Sequence, residues 1–158
     1  KIGIMPINMF CPGHVGVISR SGTLTYEVAI ALCEAGLGQS TAIGMGADPV
    51  VCTDLIEFLA LFEADNETET VVIVGEVGGT QEEVAADFIR QNMSKPVVAY
   101  VAGKSVPEGK RMGHAGAIVQ GGMGSADSKI DVFKDAGVAV AEIPMDIPRL
   151  VEALLKRA

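Results

Sequence analysis

From residue 15 onward the chain repeats one unit: a short apolar run rich in valine and isoleucine, a glycine-containing turn, then a segment of helical period. Five such units fit, with strand-like runs at Val15–Ser19, Thr41–Met45, Val71–Gly75, Val97–Ala102 and Val138–Glu142. Runs apolar at nearly every position suit parallel strands covered on both faces. The cover is offered by stripes spaced three, four or seven apart: Leu24, Val28, Leu32 and Ala35; Leu55, Phe58, Leu59 and Phe62; Val84, Phe88 and Ile89; Ile130, Phe133 and Ala136; and Leu150, Val151, Leu154 and Leu155. Thr80 and Glu83 have the spacing of a capping box, and Asp146 stands two residues before Pro148 in a first turn. Strand and helix in alternation predict an α/β fold: a flavodoxin-like, doubly wound sheet of about five parallel strands with helices on both faces.

Composition narrows the function classes. A chain of 158 residues can bury roughly 70% of its unfolded surface, so a core is available without disulfides or metal. No apolar run approaches the ~18 to 20 residues that span a bilayer. Twelve Lys and Arg against twenty Asp and Glu give a net charge of −8, without a basic cluster interleaved with aromatics, so nucleic acid and anionic membrane are poor partners. Cys11, Cys33 and Cys52 are odd in number and lack CxxC spacing, which argues against a disulfide framework or a zinc site and fits a reducing compartment. Lys1 opens the sequence where a methionine would stand, and no signal region precedes the first apolar run, so the sequence reads as part of a longer polypeptide.

In a doubly wound sheet, chemistry collects at the carboxyl ends of the strands. Several signatures there fail. Gly103-Lys104-Ser105 resembles the end of a phosphate-binding loop, but Val98 occupies the required first glycine. Gly44-Met45-Gly46 begins a dinucleotide fingerprint that Pro49 ends. Ser21 lacks the flanking glycines of a nucleophile elbow, since Ser19 and Thr23 stand in their places. Val17-Ile18-Ser19-Arg20 carries no acidic residue for a receiver site.

What remains suits a phosphoryl group. Ser21-Gly22-Thr23 opens a helix directly after a strand, where free N–H groups and the helix dipole favour an anion; the same residues are also ordinary helix caps. The segment from Gly103 to Ser125 spans 23 residues, far beyond the usual connection of about 4 to 6, and holds seven glycines, Lys104, Lys110, Arg111 and His114. His114 lies between Gly113 and Gly116, which leaves its imidazole unhindered, and a neutral imidazole is a competent nucleophile toward phosphorus when its other nitrogen is held by an acceptor. A lone loop histidine is also commonly a surface residue. Glu76, at the end of the third strand in Gly75-Glu76-Val77-Gly78-Gly79, is the carboxylate best placed by topology to be that acceptor. His14, beside Gly13, reads as a surface residue.

Three stretches resemble a known family: Val15-Gly16-Val17-Ile18-Ser19-Arg20-Ser21-Gly22-Thr23-Leu24-Thr25-Tyr26-Glu27, Gly75-Glu76-Val77-Gly78-Gly79 and Gly109-Lys110-Arg111-Met112-Gly113-His114-Ala115-Gly116-Ala117-Ile118. With the elements between them they are similar to the C-terminal ligase domain of the α subunit of succinyl-CoA synthetase (succinate–CoA ligase). The resemblance implies that His114 is a phosphohistidine, that Glu76 orients it, that Ser21, Gly22 and Thr23 bind phosphate, and that Tyr26 lines the organic acid site. It implies interconversion of succinyl-CoA, phosphate and a nucleoside diphosphate with succinate, CoA and the triphosphate.

CoA, succinate and phosphate are then substrates, and no group is held tightly by this chain. The nucleotide with Mg2+ sits on a partner β subunit of ATP-grasp fold. A related ligase acting on malate or acetate, or a non-catalytic module for subunit assembly, are the alternatives. Residues 1–14 read as a lead-in from a CoA-binding domain, residues 15–158 as the ligase domain with its phosphohistidine loop. The expected compartment is the cytoplasm, or alternatively the mitochondrial matrix, and the isolated domain is expected to be inactive and open to self-association. Two departures stand out: Met123 occupies a position where the family usually has lysine, and Asn8-Met9-Phe10-Cys11-Pro12 differs from the family pattern.

Overall fold

The strand Thr70-Val-Val-Ile-Val-Gly-Glu76 is buried along its whole length, and the rest of the computed structural model is arranged around it. The structure describes residues 2, 4–48, 50–106, 113–114, 116–119 and 124–156. A short 3-10 turn at Ile7–Met9 precedes β1 (Pro12–Ser19), followed by α1 (Gly22–Glu34), β2 (Gln39–Gly44), α2 (Leu55–Ala64), β3 (Thr70–Glu76), α3 (Gln81–Asn92), β4 (Val97–Ala102), α4 (Ala126–Asp135), β5 (Ala139–Val140) and, after a 3-10 turn at Pro144–Asp146, α5 (Ile147–Leu155). All pairings are parallel and the sheet order is β2-β1-β3-β4-β5. This is the doubly wound, flavodoxin-like order the sequence predicts. No helix among the described residues is long and apolar enough to cross a membrane.

Alternation along the strands separates two cores. Val71 and Ile73 join Leu55, Leu59, Phe62, Ala85, Ile89, Ile130 and Phe133 beneath α2, α3 and α4. Val72 and Val74 join Val15, Val17, Val28, Leu32, Ile147 and Val151 beneath α1 and α5. Because β-branched residues fill both faces of β3, neither side can tolerate water, and the register with β1 and β4 is fixed from both sides. Gly16 admits the Phe62 ring: a Cβ there would stand 2.6 Å from its Cε1.

Three expectations are corrected. Thr80 makes no side-chain cap bond to α3, its ψ of 15° departing from the extended backbone of an N-cap, and the Glu83 side chain that would complete the box turns toward Ser128 and Lys129 on α4. The capping box that does form is Asp54 with Glu57 at the start of α2, where each side chain accepts from the other's backbone N–H at 2.9 Å. The buried stripe of α3 is Glu82, Ala85, Ala86 and Ile89, while Val84 is exposed. Finally, Cys11 and Cys33 form a disulfide with Cα atoms 5.7 Å apart, tying the segment before β1 to the end of α1, and Cys52 is free. An odd count argues against a framework, but it does not prevent one bridge where a helix end and a strand start are brought to bonding distance.

The sheet order reverses between β1 and β3, whose neighbours lie on opposite sides. The crevice above their carboxyl ends is where a fold of this kind takes a ligand.

Candidate functional site

Glu76 is the last residue of β3 and is buried; the four residues after it form a turn into α3. Gly78 and Gly79 take φ of +88° and +65°, a conformation that side chains disfavour. At Gly78 space also forbids a side chain, because a Cβ would meet the Gly116 carbonyl oxygen and stand 2.6 Å from Ile118 N. The chain after His114 is therefore pressed onto the Gly78–Gly79 turn. Gly78 N–H donates to the Gly124 carbonyl at 2.7 Å, and Ala117 and Val119 are buried in the core beneath α2, α3 and α4.

That docking brings His114 to Glu76. Its Nδ1 lies 3.0 Å from Oε1 and 2.9 Å from Oε2. An ionised carboxylate only accepts, so Nδ1–H donates and Nε2 is left with its lone pair. The His114 side chain is 46% exposed while that of Glu76 is 9% exposed, so the acceptor is sheltered and the imidazole is half-exposed.

Across the crevice, Ser21 is the N-cap of α1, and its Oγ accepts from Leu24 N–H at 3.3 Å. Its backbone is locked: Ser21 N–H donates to Ser19 Oγ at 3.1 Å, and the Ser21 carbonyl accepts from Ser19 Oγ at 2.7 Å and Thr25 Oγ1 at 2.6 Å. The cap reading of Ser21 is thus realised. Gly22 and Thr23 are exposed in the first turn, and a Cβ on Gly22 would meet nothing within 4 Å. The helix start is open to an anion.

Tyr26 is not drawn to this pair. Its hydroxyl donates to the Ile4 carbonyl at 2.9 Å and its ring stands edge-on to Phe10, in a groove of about 1020 Å³ that runs along β2 and reaches Gly22. His14 Nδ1 lies 3.0 Å from the Glu67 carbonyl, on the strand end away from the crevice. Lys104 pairs with Glu142 at 2.7 Å on the surface. Lys110, Arg111 and Met123 lie outside the described residues.

Behind Glu76 is a cluster that sequence reasoning missed. Glu82, wholly buried in the first turn of α3, receives Arg20 Nη1 at 2.7 and 3.0 Å, Glu76 N–H at 3.1 Å and Lys129 Nζ. Lys129 is also wholly buried and lies 3.3 Å from Glu83. A signal was available: Glu82 and Lys129 fall on the i, i+3, i+4, i+7 stripes Glu82-Ala85-Ala86-Ile89 and Ala126-Lys129-Ile130-Phe133, where a charged residue must be buried and paired.

Comparison with known proteins adds to this geometry. A family model described as CoA-ligase matches residues 18–139. The chain is 58% identical over 154 residues to "Succinate--CoA ligase [ADP-forming] subunit alpha 2" of Archaeoglobus fulgidus, covering 98% of this chain and 53% of that protein. It is 54% identical over 157 residues to "Succinate--CoA ligase [ADP-forming] subunit alpha" of Staphylococcus epidermidis, covering 99% of this chain and 52% of that protein. The chain thus spans about half the length of the curated relatives it matches. Among solved structures, a variant of ATP citrate lyase from Methanosaeta concilii in complex with (3S)-citryl-CoA superposes with a TM-score of 0.86 at 25% identity, over 93% of this chain and 24% of that one.

Proposed function

The chain belongs to the CoA-ligase family, and from that premise we propose that it is the phosphoryl-carrying domain of the α subunit of a nucleoside-diphosphate-forming succinate–CoA ligase, with His114 as the carrier. The observation that carries the reading is the pair Glu76–His114, with Nδ1 held by a buried carboxylate and the imidazole half-exposed at the switch point of the sheet. The names of the curated relatives favour succinate over malate or acetate as the acid.

In this reading the Nε2 lone pair attacks the phosphorus of an acyl phosphate. The N–P bond forms as the P–O bond to the acyl carboxylate breaks, and the acid leaves as carboxylate. Glu76 stabilises the positive charge that develops on the ring through its bond to Nδ1–H. The free N–H groups of Gly22 and Thr23 hold the phosphoryl oxygens at the start of α1, with no side-chain cation required. Tyr26 and the groove along β2 belong to the organic acid side of the proposal. Reversal on a nucleoside diphosphate, on a partner β subunit of ATP-grasp fold, returns the imidazole. The acyl phosphate itself forms as phosphate displaces the CoA thiolate from the acyl thioester, so CoA is the leaving group in this direction and the thiol substrate in the reverse one. Magnesium accompanies the nucleotide on the partner; among the described residues of this chain no three His, Cys, Asp or Glu side chains converge to hold a metal.

Phosphoryl labelling tests the reading. The intact protein, assembled with its partner subunit and given radiolabelled ATP and Mg2+, is expected to take up an acid-labile, base-stable label on the peptide containing His114. Retention of the label by the His114→Asn protein would overturn it, as would an unlabelled wild-type complex.

A further inference from the structure

Both backbone groups of Glu76 are bonded to buried ions. Its N–H donates to Glu82 Oε1 at 3.1 Å, and its carbonyl accepts from Arg20 Nη1 at 3.1 Å. The same two cations that flank Glu82 also share the Gly78 carbonyl, Arg20 at 3.0 Å and Lys129 at 3.1 Å. Gly78 is the residue on which the chain after His114 is seated. Arg20, Glu82 and Lys129 are 5%, 0% and 0% exposed, so water cannot substitute for any of these bonds. Gly75 makes the arrangement sterically feasible: a Cβ there would stand 2.8 Å from Glu82 Oε1.

Three ions sealed from solvent are a costly way to hold a fold together, and apolar residues of the same volume often do it as well or better. Their geometry explains what they supply here. They fix the two ends of the Glu76–Gly78 segment, one end carrying the carboxylate that meets His114 and the other carrying the seat of the histidine's own loop. Lys129 lies in the second turn of α4, directly after the loop, so the cluster ties that root of the loop to the start of α3.

We propose that Glu82, held between Arg20 and Lys129, is a positioning residue: it sets the Glu76 carboxylate and the Gly78 seat together, and through them the tautomer and aim of His114. The consequence for phosphoryl transfer rests on the function proposed above; the consequence for the histidine tautomer does not.

Lys129→Met is the informative variant, because Arg20 still balances Glu82 while Gly78 loses one of its two donors. In the intact protein assembled with its partner, with histidine labelled by ¹⁵N, the wild type is expected to show His114 protonated at Nδ1. Lys129→Met is expected to show a mixture of tautomers, a rate of His114 phosphorylation lowered about tenfold or more, and an unchanged KM for ATP. Should the single variant fail to fold, Glu82→Gln combined with Lys129→Met removes one charge of each sign and keeps an amide oxygen for Glu76 N–H; the same mixed tautomer is expected. A folded variant of either kind that keeps the Nδ1–H tautomer and a rate within twofold of wild type overturns the proposal. A wild type that shows the tautomer but never carries a phosphoryl label counts against the proposed function alone, and the tautomer comparison then decides the positioning role.

Discussion

Glu76 and His114 are 38 residues apart in the chain, yet His114 Nδ1 sits almost equidistant from the two Glu76 carboxylate oxygens, at 3.0 and 2.9 Å. The carboxylate is delivered by the end of β3 and the imidazole by the loop after β4, strands that are hydrogen-bonded neighbours up to the pair Glu76–Ala102. The contact is thus a product of sheet register, and it is made with a carboxylate that solvent barely reaches.

Glu76→Gln isolates the charge in that contact. The amide keeps the shape and an acceptor oxygen, so the fold should survive, but the charge-assisted component is lost. Hydrogen bonds to charged groups contribute about 1.5–3 kcal/mol, which corresponds to roughly a 10- to 100-fold slower step if the contribution is made in the transition state. Rapid-quench measurement of His114 phosphorylation should show that loss, with a melting temperature close to wild type.

Gly78→Ala and Gly22→Ala should differ in sign. Gly78 has φ of +88° and faces the backbone of Gly116 and Ile118, so a methyl group is strained twice over and must push the histidine loop off its seat. A loss of about 1–3 kcal/mol in stability is expected. Gly22, in the first turn of α1, has open space around its Cβ position and no positive φ, and alanine there should stabilise by about 0.4–1 kcal/mol through the unfolded chain. Urea denaturation of both variants beside wild type checks the contrast.

Strands whose two faces are both covered were the most legible part of the sequence, because nothing polar competes in the pattern. Val97–Ala102 is recovered to the residue and Val71–Gly75 extends by one residue at each end to Thr70–Glu76. The edge strand β5 shrinks to Ala139–Val140, which pair with Val98 and Ala99 of β4. Glu76 and His114 were legible because glycine on both sides marks where a backbone turns sharply. Arg20, Glu82 and Lys129 were not, because charge ordinarily reads as solvent-facing. The helical stripes place Glu82 and Lys129 on buried faces, but their pairing with each other and with Arg20 depends on Gly75 lacking a Cβ and on two helices meeting over it, relationships between distant residues that no local pattern records. The Thr80–Glu83 spacing misled for the same reason: Glu83 has a better partner in Lys129 than in the start of its own helix.

Acid should loosen the corner where the end of α2 meets the connection from α3 to β4. The Glu63 carboxylate accepts from Ser94 N–H at 3.0 Å, Ser94 Oγ at 2.5 Å and Lys95 N–H at 3.2 Å. Partial burial pushes its pKa up, but the bonds from Ser94 and Lys95 and the nearby Lys95 charge outweigh that and hold it below its ordinary 4.5. A carboxyl lowered on folding stabilises fully above the unfolded pKa and loses that contribution as pH falls through the folded one. The gap in melting temperature between wild type and Glu63→Gln should therefore be widest near neutrality and close progressively below about pH 4. A constant gap across that range would assign the effect to packing instead of charge.

Val119 anchors the tail of the histidine loop, and its loss should be felt locally. The side chain is 6% exposed and packs in the core beneath α2, α3 and α4. Truncation to alanine removes two methyl groups, about 1.5 kcal/mol at roughly 0.8 kcal/mol per carbon. Because Val119 belongs to no strand or helix, that free energy is drawn from docking of the loop more than from the sheet. Hydrogen exchange at Ala117–Val119 should quicken by about tenfold while exchange in β3 stays as it was. Phe133→Ala, at a wholly buried position on α4, should act in the opposite manner: about 3–5 kcal/mol lost, and β3 exchanging faster together with everything packed on it. If Val119→Ala accelerated exchange in β3 as strongly as in the loop, the histidine segment would be part of the cooperative core, and its docking could not be loosened without unfolding the sheet.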